Sequence, residues 1–451
     1  MATKSLVRRS NGGVPVEYRK TFRNLYLDIA WFGVLNGSSI AMVAVFAVRS
    51  GASGVELGLL NALPGLVALM LSLPAGQWLG GRELGRTTLW LSVVQRLGYL
   101  GWAVVPFLPG EIVRVWVLIG LALLMSIPGT ALAISFNSLF AGLVPLEWRG
   151  HVVGIRNAMY AATFVGTSLG VGQILTILPF ETGYTVVFAI GGVAALMSSF
   201  HIWRALPGPL PPEPRMVRAV FGELAASPGR MLGRRVGVGL RSLVGLKPME
   251  VLQTQLFGSA RRRILVALFA FHLALLAGST TFPLYFVRVL RLTDAQITTG
   301  AALFYVGMFV GSSQLRRLTD WTGTLGGTVL GAVMLGVYPL VMAATGRFEV
   351  YLGVMIYGGV SWSFLNGAMA NYVLEVAGDE ARAYFLAWFT LVTNAALLVG
   401  SLAGPSLADW VGPGIALVGA GVLRVLSAGL IWLWGRGYGA PPPRDEPMAA
   451  S

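Results

Sequence analysis

The side chains that could bind a solute lie inside long apolar stretches of this sequence, where polar groups are costly. The run NGSS carries Asn36, Ser38 and Ser39, and the run GSTT, at the corresponding point of the second half, carries Ser279 and Thr280. Further amides, hydroxyls and aromatic rings in apolar surroundings are Asn137, Tyr357, Ser361, Trp362 and Asn366. This mixture would suit an uncharged or amphipathic small molecule. The alternative is that the small polar residues serve close packing between helices.

Two titratable side chains could couple transport to protons. His272 follows Arg263 by nine residues, so it would lie about 13 Å inside a helix, and imidazole titrates near neutral pH. Asp28 is the acidic residue that falls clearly within an apolar stretch. The alternatives are a hydrogen-bonded histidine between helices and an ion pair between Asp28 and a neighbouring basic residue.

Two arginines, Arg96 and Arg424, also fall inside apolar stretches. A charge at that depth must face protein, because exposure to lipid would cost at least about 2.5–3.5 kcal/mol. We interpret both as structural clamps inside their helix bundles, partnered by carbonyls, Gln95 or an Asp. A direct contact with a ligand is the competing interpretation for Arg96.

Composition restricts the class of protein. The chain has 451 residues, of which 55% are hydrophobic and 12% charged, whereas a soluble protein would carry about a quarter charged residues. It contains no cysteine and 3 histidines, so disulfides, thiolate sites and histidine-rich metal sites are not expected, nor is a cofactor. A membrane enzyme would need clustered acids or histidines at one interface, and none is visible. The composition therefore predicts an all-α, multi-pass membrane protein without enzymatic activity.

The elements that must position these residues are spanning helices of about 20 apolar residues each. We predict twelve, at residues 24–48, 55–80, 87–108, 112–143, 152–178, 183–205, 264–287, 295–315, 325–346, 350–374, 383–408 and 412–435. Most basic residues lie on the side that holds both termini, which places the termini in the cytoplasm. The net charge of +14 is then explained without nucleic acid. Arginine far outnumbers lysine, which suggests a GC-rich genome and a bacterial plasma membrane.

The predicted helices divide into two six-helix bundles, at 1–206 and 263–451, joined by a basic linker at 207–262 that opens with PGPLPPEP. The linker could rest on anionic headgroups or act as a regulatory element. Capping boxes open the second and eighth spans at Ser53–Glu56 and Thr293–Gln296. Matching landmarks of this kind indicate a parallel repeat about a pseudo-two-fold axis normal to the membrane.

Three loops resemble those of the major facilitator superfamily. RLTDWTG (317–323) is similar to the family's signature between spans 8 and 9, and GQWLGGRELGR (76–86) is its first-half counterpart, with Gly80 where the family usually has Asp. LVPLEWRGHVVGIRN (143–157) resembles the loop between spans 4 and 5. The resemblance implies that spans 1, 4, 7 and 10 line a central cavity. It also implies a cytoplasmic gate, for which the candidates are Arg317, Asp320, Gly323, Arg82, Arg86 and Arg149.

These features predict a secondary active transporter that moves a small organic solute by alternating access. We expect a monomer in contact with anionic lipid headgroups, with protons as the coupling ion to be considered. Export is preferred over uptake because charges are sparse and aromatic residues are many. The alternatives are an uptake permease for a sugar or similar metabolite, a lipid translocator, and a transport-dead sensor on the same fold.

Overall fold

The computed structural model describes residues 14–206 and 258–438, and the regular structure in these two ranges is helical. The predicted linker at 207–262 lies outside the described residues except for its last five, which lead into a helix.

The first described range forms seven α-helices. α1 (Val16–Leu35) continues through a π-helical turn (Asn36–Ile40) into α2 (Ala41–Arg49). The others are α3 (Gly54–Leu79), α4 (Leu84–Trp102), α5 (Glu111–Leu143), α6 (Leu146–Ile177) and α7 (Phe180–Ala205). Both α1 and α6 begin several residues before the predicted spans at 24 and 152. Their first turns carry charged residues that lower the hydropathy without opposing a helix.

The second range forms four helices, two of which are longer than any in the first range. α8 (Ser259–Leu284) ends in a π-helical turn (Tyr285–Val289), and α9 (Asp294–Ala344), α10 (Phe348–Val411) and α11 (Pro413–Gly435) follow. α9 and α10 are each broken once, at Gly323 with φ 69° and at Gly378 with φ 63°. Glycine enters this left-handed region at no steric cost. The break at Gly323 ends the RLTDWTG loop.

Ten segments of the described residues are long and apolar enough to cross a membrane. α4, which contains Arg86 and Arg96, is not among them, and the 51 residues of Asp294–Ala344 count as one segment. At about 1.5 Å per residue α9 would extend about 76 Å, which exceeds the ~30 Å of a hydrocarbon core. The protein is therefore a multi-pass membrane protein.

Both predicted capping boxes are confirmed. The Ser53 hydroxyl accepts from the Glu56 amide while the Glu56 carboxylate accepts from the Ser53 amide, and Thr293 and Gln296 repeat the arrangement at α9. Each box satisfies amides that have no partner within the helix, so it fixes where the helix begins.

The helices pack mainly within their own half. α1 lies against α6 and α7, α4 against α5 and α7, α8 against α10 and α11, and α9 against α10 and α11. Two seams join the halves, where α3 packs on α10 and α6 packs on α9.

Candidate transport site

The π-helical turn after α1 contains three of the predicted substrate residues, and the structure separates them. Ser38 donates to the Val34 carbonyl at 2.7 Å and Ser39 to the Phe188 carbonyl of α7 at 3.4 Å, and both side chains are buried. Ser39 therefore holds the turn against α7, while Ser38 bonds within its own helix. Asn36 is partly buried and donates to the Phe32 carbonyl at 2.8 Å. Of the three it is the side chain with access to a solute.

The predicted residues of the second half also differ in exposure. Ser279 is exposed and Thr280 partly buried, and each donates to a carbonyl four residues earlier in α8, at 2.7 and 2.8 Å. The Tyr357 hydroxyl donates to the Met334 carbonyl of α9 at 2.9 Å, which ties two helices of one half together. Ser361 is fully buried and donates to the Tyr357 carbonyl at 2.7 Å.

Two amides on helices α5 and α10 are exposed at depth. Asn137 lies six residues before the end of α5, and Asn366 lies on α10 before its break, where it donates to the Trp362 carbonyl at 3.0 Å. The Trp362 ring is partly buried. Because an amide facing hydrocarbon is unfavourable, exposed amides on spanning helices favour contact with water or a polar solute.

His272 is held by its own helix. Its Nδ1 donates to the Leu268 carbonyl at 2.8 Å, and its ring meets Phe389 of α10 edge-on with centroids 5.8 Å apart. The Nδ1 bond fixes the tautomer and leaves Nε2 as the nitrogen that can accept a proton.

Asp28 is the centre of a buried polar network in the first half. Its carboxylate accepts from Arg156 of α6 at 3.1 Å and from Ser198 of α7, and it lies 4.0 Å from the guanidinium of Arg96. Arg96 also donates to the Ser199 hydroxyl at 2.9 Å. Asp28 therefore forms an ion pair, with arginines far away in the sequence and not with a neighbouring basic residue.

Arg156 is a functional candidate that the sequence analysis did not single out, although it falls within the predicted span at 152–178. It lies in α6, is 8% exposed, and also donates to the Leu25 carbonyl at 2.6 Å. The missed signal is its position ten residues after the start of α6 at Leu146, about 15 Å along the helix.

Arg424 has the inward orientation that the sequence analysis predicted, with carbonyl partners. Its guanidinium, 1% exposed, donates to the carbonyls of Ala274 and Leu275 in α8 and of Leu335 in α9, at 3.3, 2.9 and 2.9 Å. It therefore links three helices of the second half.

The predicted gate residues make contacts close to themselves in the sequence. Asp320 pairs with Arg316 at 3.7 Å on an exposed surface, and Arg317 donates to Gln314 at 3.2 Å. Arg149 donates to the Ala141 and Val144 carbonyls and so caps the end of α5. No contact with the opposite half is seen for these three side chains within the described residues. Their role as a gate stays a prediction.

Arg82 and Arg86 of the first-half loop are exposed. Arg82 donates to the Trp78 carbonyl at 3.1 Å, with its guanidinium 4.1 Å from the centre of the Trp78 ring.

Charged residues join the halves at the opposite ends of the helices. We call these ends the arginine-poor side, and the ends that carry Arg82, Arg149 and Arg317 the arginine-rich side. Arg49 at the end of α2 pairs with Asp294 at 2.6 Å and donates to the Leu292 carbonyl at 2.7 Å. Arg288 at the end of α8 donates to the Ala52 carbonyl at 2.5 Å and pairs with Asp409 at 3.2 Å.

Arg49 and Arg288 make matching contacts, each with the half to which the other belongs. Ala52 and Leu292 each directly precede the N-cap residue of a capping box, so each arginine binds the loop that starts the second span of the other half. Asp409 also accepts from the Gly54 amide at 2.5 Å, which adds α10 to the same set of contacts. The sequence showed the four charged residues but gave no basis for pairing them.

Halfway along the seam between α6 and α9, an aromatic contact joins the halves. The hydroxyls of Tyr160 and Tyr305 are 3.3 Å apart, and the rings of Phe164 and Tyr305 have centroids 3.8 Å apart. These rings therefore add an aromatic contact to the α6–α9 seam.

The sequence profile of the Major Facilitator Superfamily matches residues 29–391 of the chain. The chain belongs to this superfamily.

Three solved structures share the fold of this chain. Their sequence identities to it are below 25%, so they establish the fold alone. A bacterial homologue of the iron transporter ferroportin in the inward-facing state is 14% identical, with a TM-score of 0.68 and coverage of 92% of this chain and 98% of that one.

The nucleoside transporter NupG is 12% identical, with a TM-score of 0.62 and coverage of 93% and 99%. The xylose transporter XylE from E. coli is 15% identical, with a TM-score of 0.62 and coverage of 92% and 97%. No curated protein matches the sequence. Membership of the superfamily makes the chain a transporter, and the cargoes of these relatives differ.

Proposed function

We propose that this superfamily member is a secondary transporter that moves a small, uncharged or amphipathic organic solute by alternating access, in the export direction. The proposed architecture is twelve spans in two six-helix bundles related by a parallel pseudo-two-fold axis, with the arginine-rich side in the cytoplasm. The count of twelve spans requires that α1 and α2 form one span, that α4 crosses the membrane, and that α9 and α10 each cross it twice.

The observation that carries the proposal is the reciprocal pair of arginines on the arginine-poor side. Arg49 and Arg288 each reach across to the other half, and their acceptors sit at equivalent points of the two halves. Charged contacts that join the two bundles at one end are what a rocking mechanism requires, since they must break when that end opens.

The proposed solute site consists of the exposed or partly buried polar residues between the halves. These are Asn36, Asn137, Ser279, Trp362 and Asn366, with the Tyr160–Tyr305 pair in the α6–α9 seam. Amides and aromatic rings together offer hydrogen bonds and stacking to a solute without net charge. Asp28 and His272 are the proposed proton-coupling groups.

Distance measurements between the bundles test the mechanism. The natural chain contains no cysteine, so introduced thiols are the only ones to carry a spin label. One labelled pair would replace Glu111 and Glu349 on the arginine-poor side, and the other Glu147 and Arg316 on the arginine-rich side, all four of them exposed. A ligand should change the two distances in opposite directions, while a pair within one half, Glu111 with Glu147, should stay constant. Equal distances with and without ligand would contradict alternating access.

The ligand for this experiment comes from a thermal-shift screen of the purified protein against metabolites and drugs. Hits should weaken in Asn137→Ala and Asn366→Ala, and unchanged binding in both would overturn the proposed site. Transport into proteoliposomes of both orientations gives the direction. Proton-driven accumulation of a radiolabelled sugar would establish the uptake permease instead.

A further inference from the structure

A groove on the outer surface of the first half has the chemistry of a lipid site. It lies between α3, α4 and α5 at their arginine-rich ends and has a volume of about 550 Å³. Its mouth is lined by Arg82, Arg86 and Glu83, and its walls include Trp78, Trp90 and Val94. All of its lining residues belong to the first half and none is a residue of the proposed solute site, so the two sites are separate.

The mouth of the groove is cationic. It contains the two guanidiniums of Arg82 and Arg86 and the one carboxylate of Glu83, so it carries a net positive charge. The Arg82 side chain is held in place by stacking on the Trp78 ring, 4.1 Å from its centre, and by its bond to the Trp78 carbonyl. A guanidinium fixed in this way loses less rotamer freedom when an anion binds, and its planar donors match a phosphate.

The floor of the groove is apolar and runs into the membrane. Thr87, Trp90, Leu91 and Val94 repeat at the i, i+3, i+4, i+7 spacing that places them on one face of α4. From Leu84 at the start of α4 to Val94 this face spans about 15 Å. Trp90 is 60% exposed and Val94 55% exposed, as expected for side chains that meet acyl chains.

The second half repeats this chemistry in a smaller groove of about 310 Å³, where α8 begins and α11 ends. Arg262, Arg263, Val266 and Trp434 line it. At the same end of α11, Arg436 stacks on Trp432 at 3.7 Å, with the four-residue spacing of Arg82 and Trp78. Stacked Trp–Arg pairs at helix ends on one side of the membrane indicate a common headgroup level, where tryptophan is enriched.

We propose that the groove between α3, α4 and α5 is a binding site for an anionic phospholipid. Arg82 and Arg86 bind the headgroup phosphate, and the Trp90–Val94 face packs against the upper part of an acyl chain. An amphiphile fits this site because the cationic mouth and the apolar floor are continuous. A free anion would use the mouth alone.

Native mass spectrometry of the purified full chain tests the proposal, with phosphatidylglycerol and phosphatidylcholine of identical chains as probes. We expect tighter binding of phosphatidylglycerol, and a loss of affinity at one site in the double variant Arg82→Gln/Arg86→Gln. The loss should be about 25-fold, at about fivefold per arginine near an anionic surface. Binding at the second groove should persist, so one lipid fewer should remain bound per chain.

The matched control is Arg316→Gln/Arg317→Gln, which removes the same charge from an exposed surface outside the groove. It should bind phosphatidylglycerol like the natural chain. Trp90→Ala should weaken phosphatidylglycerol binding without altering the preference over phosphatidylcholine. Millimolar inorganic phosphate should not displace the lipid.

Each contrary result overturns the proposal. Equal losses in the two double variants would show that total charge, and not the groove, attracts lipid. Equal binding of the two lipids would show that no anion is selected. Displacement by inorganic phosphate would assign the mouth to a soluble anion. Matching gel-filtration profiles of all variants are the control for folding.

Discussion

Arg96 and Arg424 each lie at a junction of three helices, one in each half, and they are compensated by different oxygens. Arg96 links α4 to α1 and α7 through Asp28 and the Ser199 hydroxyl. Arg424 links α11 to α8 and α9 through three backbone carbonyls. A carboxylate can take up a proton, whereas a peptide carbonyl keeps its charge distribution at every physiological pH. The first junction can therefore change its charge state and the second cannot.

Because one junction uses a carboxylate and the other uses carbonyls, a substitution leaves different groups unpaired in the two junctions. Asp28 serves two arginines at once, because Arg156 binds its other oxygen at 3.1 Å. The carbonyls that bind Arg424 belong to helical residues and have helix amides as their regular partners. Removing Asp28 from the first junction leaves two buried guanidiniums without a carboxylate, while removing Arg424 from the second leaves no unpaired charge.

The largest expected effect is that of Asp28→Ala. It leaves the guanidiniums of Arg96 and Arg156 buried without a carboxylate, at a cost of about 3–5 kcal/mol. Thermal unfolding and the yield of monodisperse protein measure it. Adding Arg156→Met should restore part of the loss, and a double variant no better than Asp28→Ala would contradict the ion-pair explanation.

Arg96→Leu should destabilise the protein by about 1.5–3 kcal/mol, because a hydrogen bond to a charged group is lost. It should lower the folded yield more than it alters ligand selectivity. Arg424→Leu should cost less, since replacing a buried charge by an apolar residue of similar size is often neutral. Unchanged yield with lost ligand binding in Arg96→Leu would assign Arg96 to the ligand. Equal costs in the two variants would remove the contrast between the junctions.

Gly278→Ala tests the close approach of Arg424 to α8. A Cβ at Gly278 would overlap the Arg424 guanidinium, so the arginine must shift, and we expect a loss of about 1–3 kcal/mol. Gly429→Ala on α11 is the matched control, because a Cβ there meets open space. The control should be neutral or slightly stabilising in thermal unfolding.

The smallest expected effect is that of Ser198→Ala, which removes one hydrogen bond to the Asp28 carboxylate. The expected cost is about 0.5–1.5 kcal/mol, measured by thermal unfolding. Its effect should disappear in an Asp28→Ala background, because the two side chains form one network. Additive losses would show that Ser198 acts elsewhere.

The helices and their starting points could be predicted because they depend on local sequence. A capping box is complete within four residues, so Ser53–Glu56 and Thr293–Gln296 predicted the starts of α3 and α9 correctly. The break at Gly323 lies in the loop that resembled the superfamily signature. The first turns of α1 and α6 were missed because their charged residues lower the hydropathy of a window.

The polar residues between the helices were harder to predict because exposure depends on the rotation of each helix. Ser38 and Ser39 follow Asn36 within one turn, yet the two serines are buried against α7 and the asparagine is partly accessible. Neither hydropathy nor residue type distinguishes them. The π-helical turn at this point changes which side chains face α7, and no feature of the sequence predicted it.

The sequence by itself determined that the chain spans a membrane many times, and it predicted that basic residues collect on one side and that two halves repeat. Those properties follow from the transfer of apolar segments into lipid and from charges along the chain, which act segment by segment. Only the tertiary structure decided that Asp28 faces Arg156, and that Arg49 and Arg288 each bind the other half of the chain. Such pairs join residues more than a hundred positions apart, so they are fixed by how the helices pack and not by the sequence around each residue.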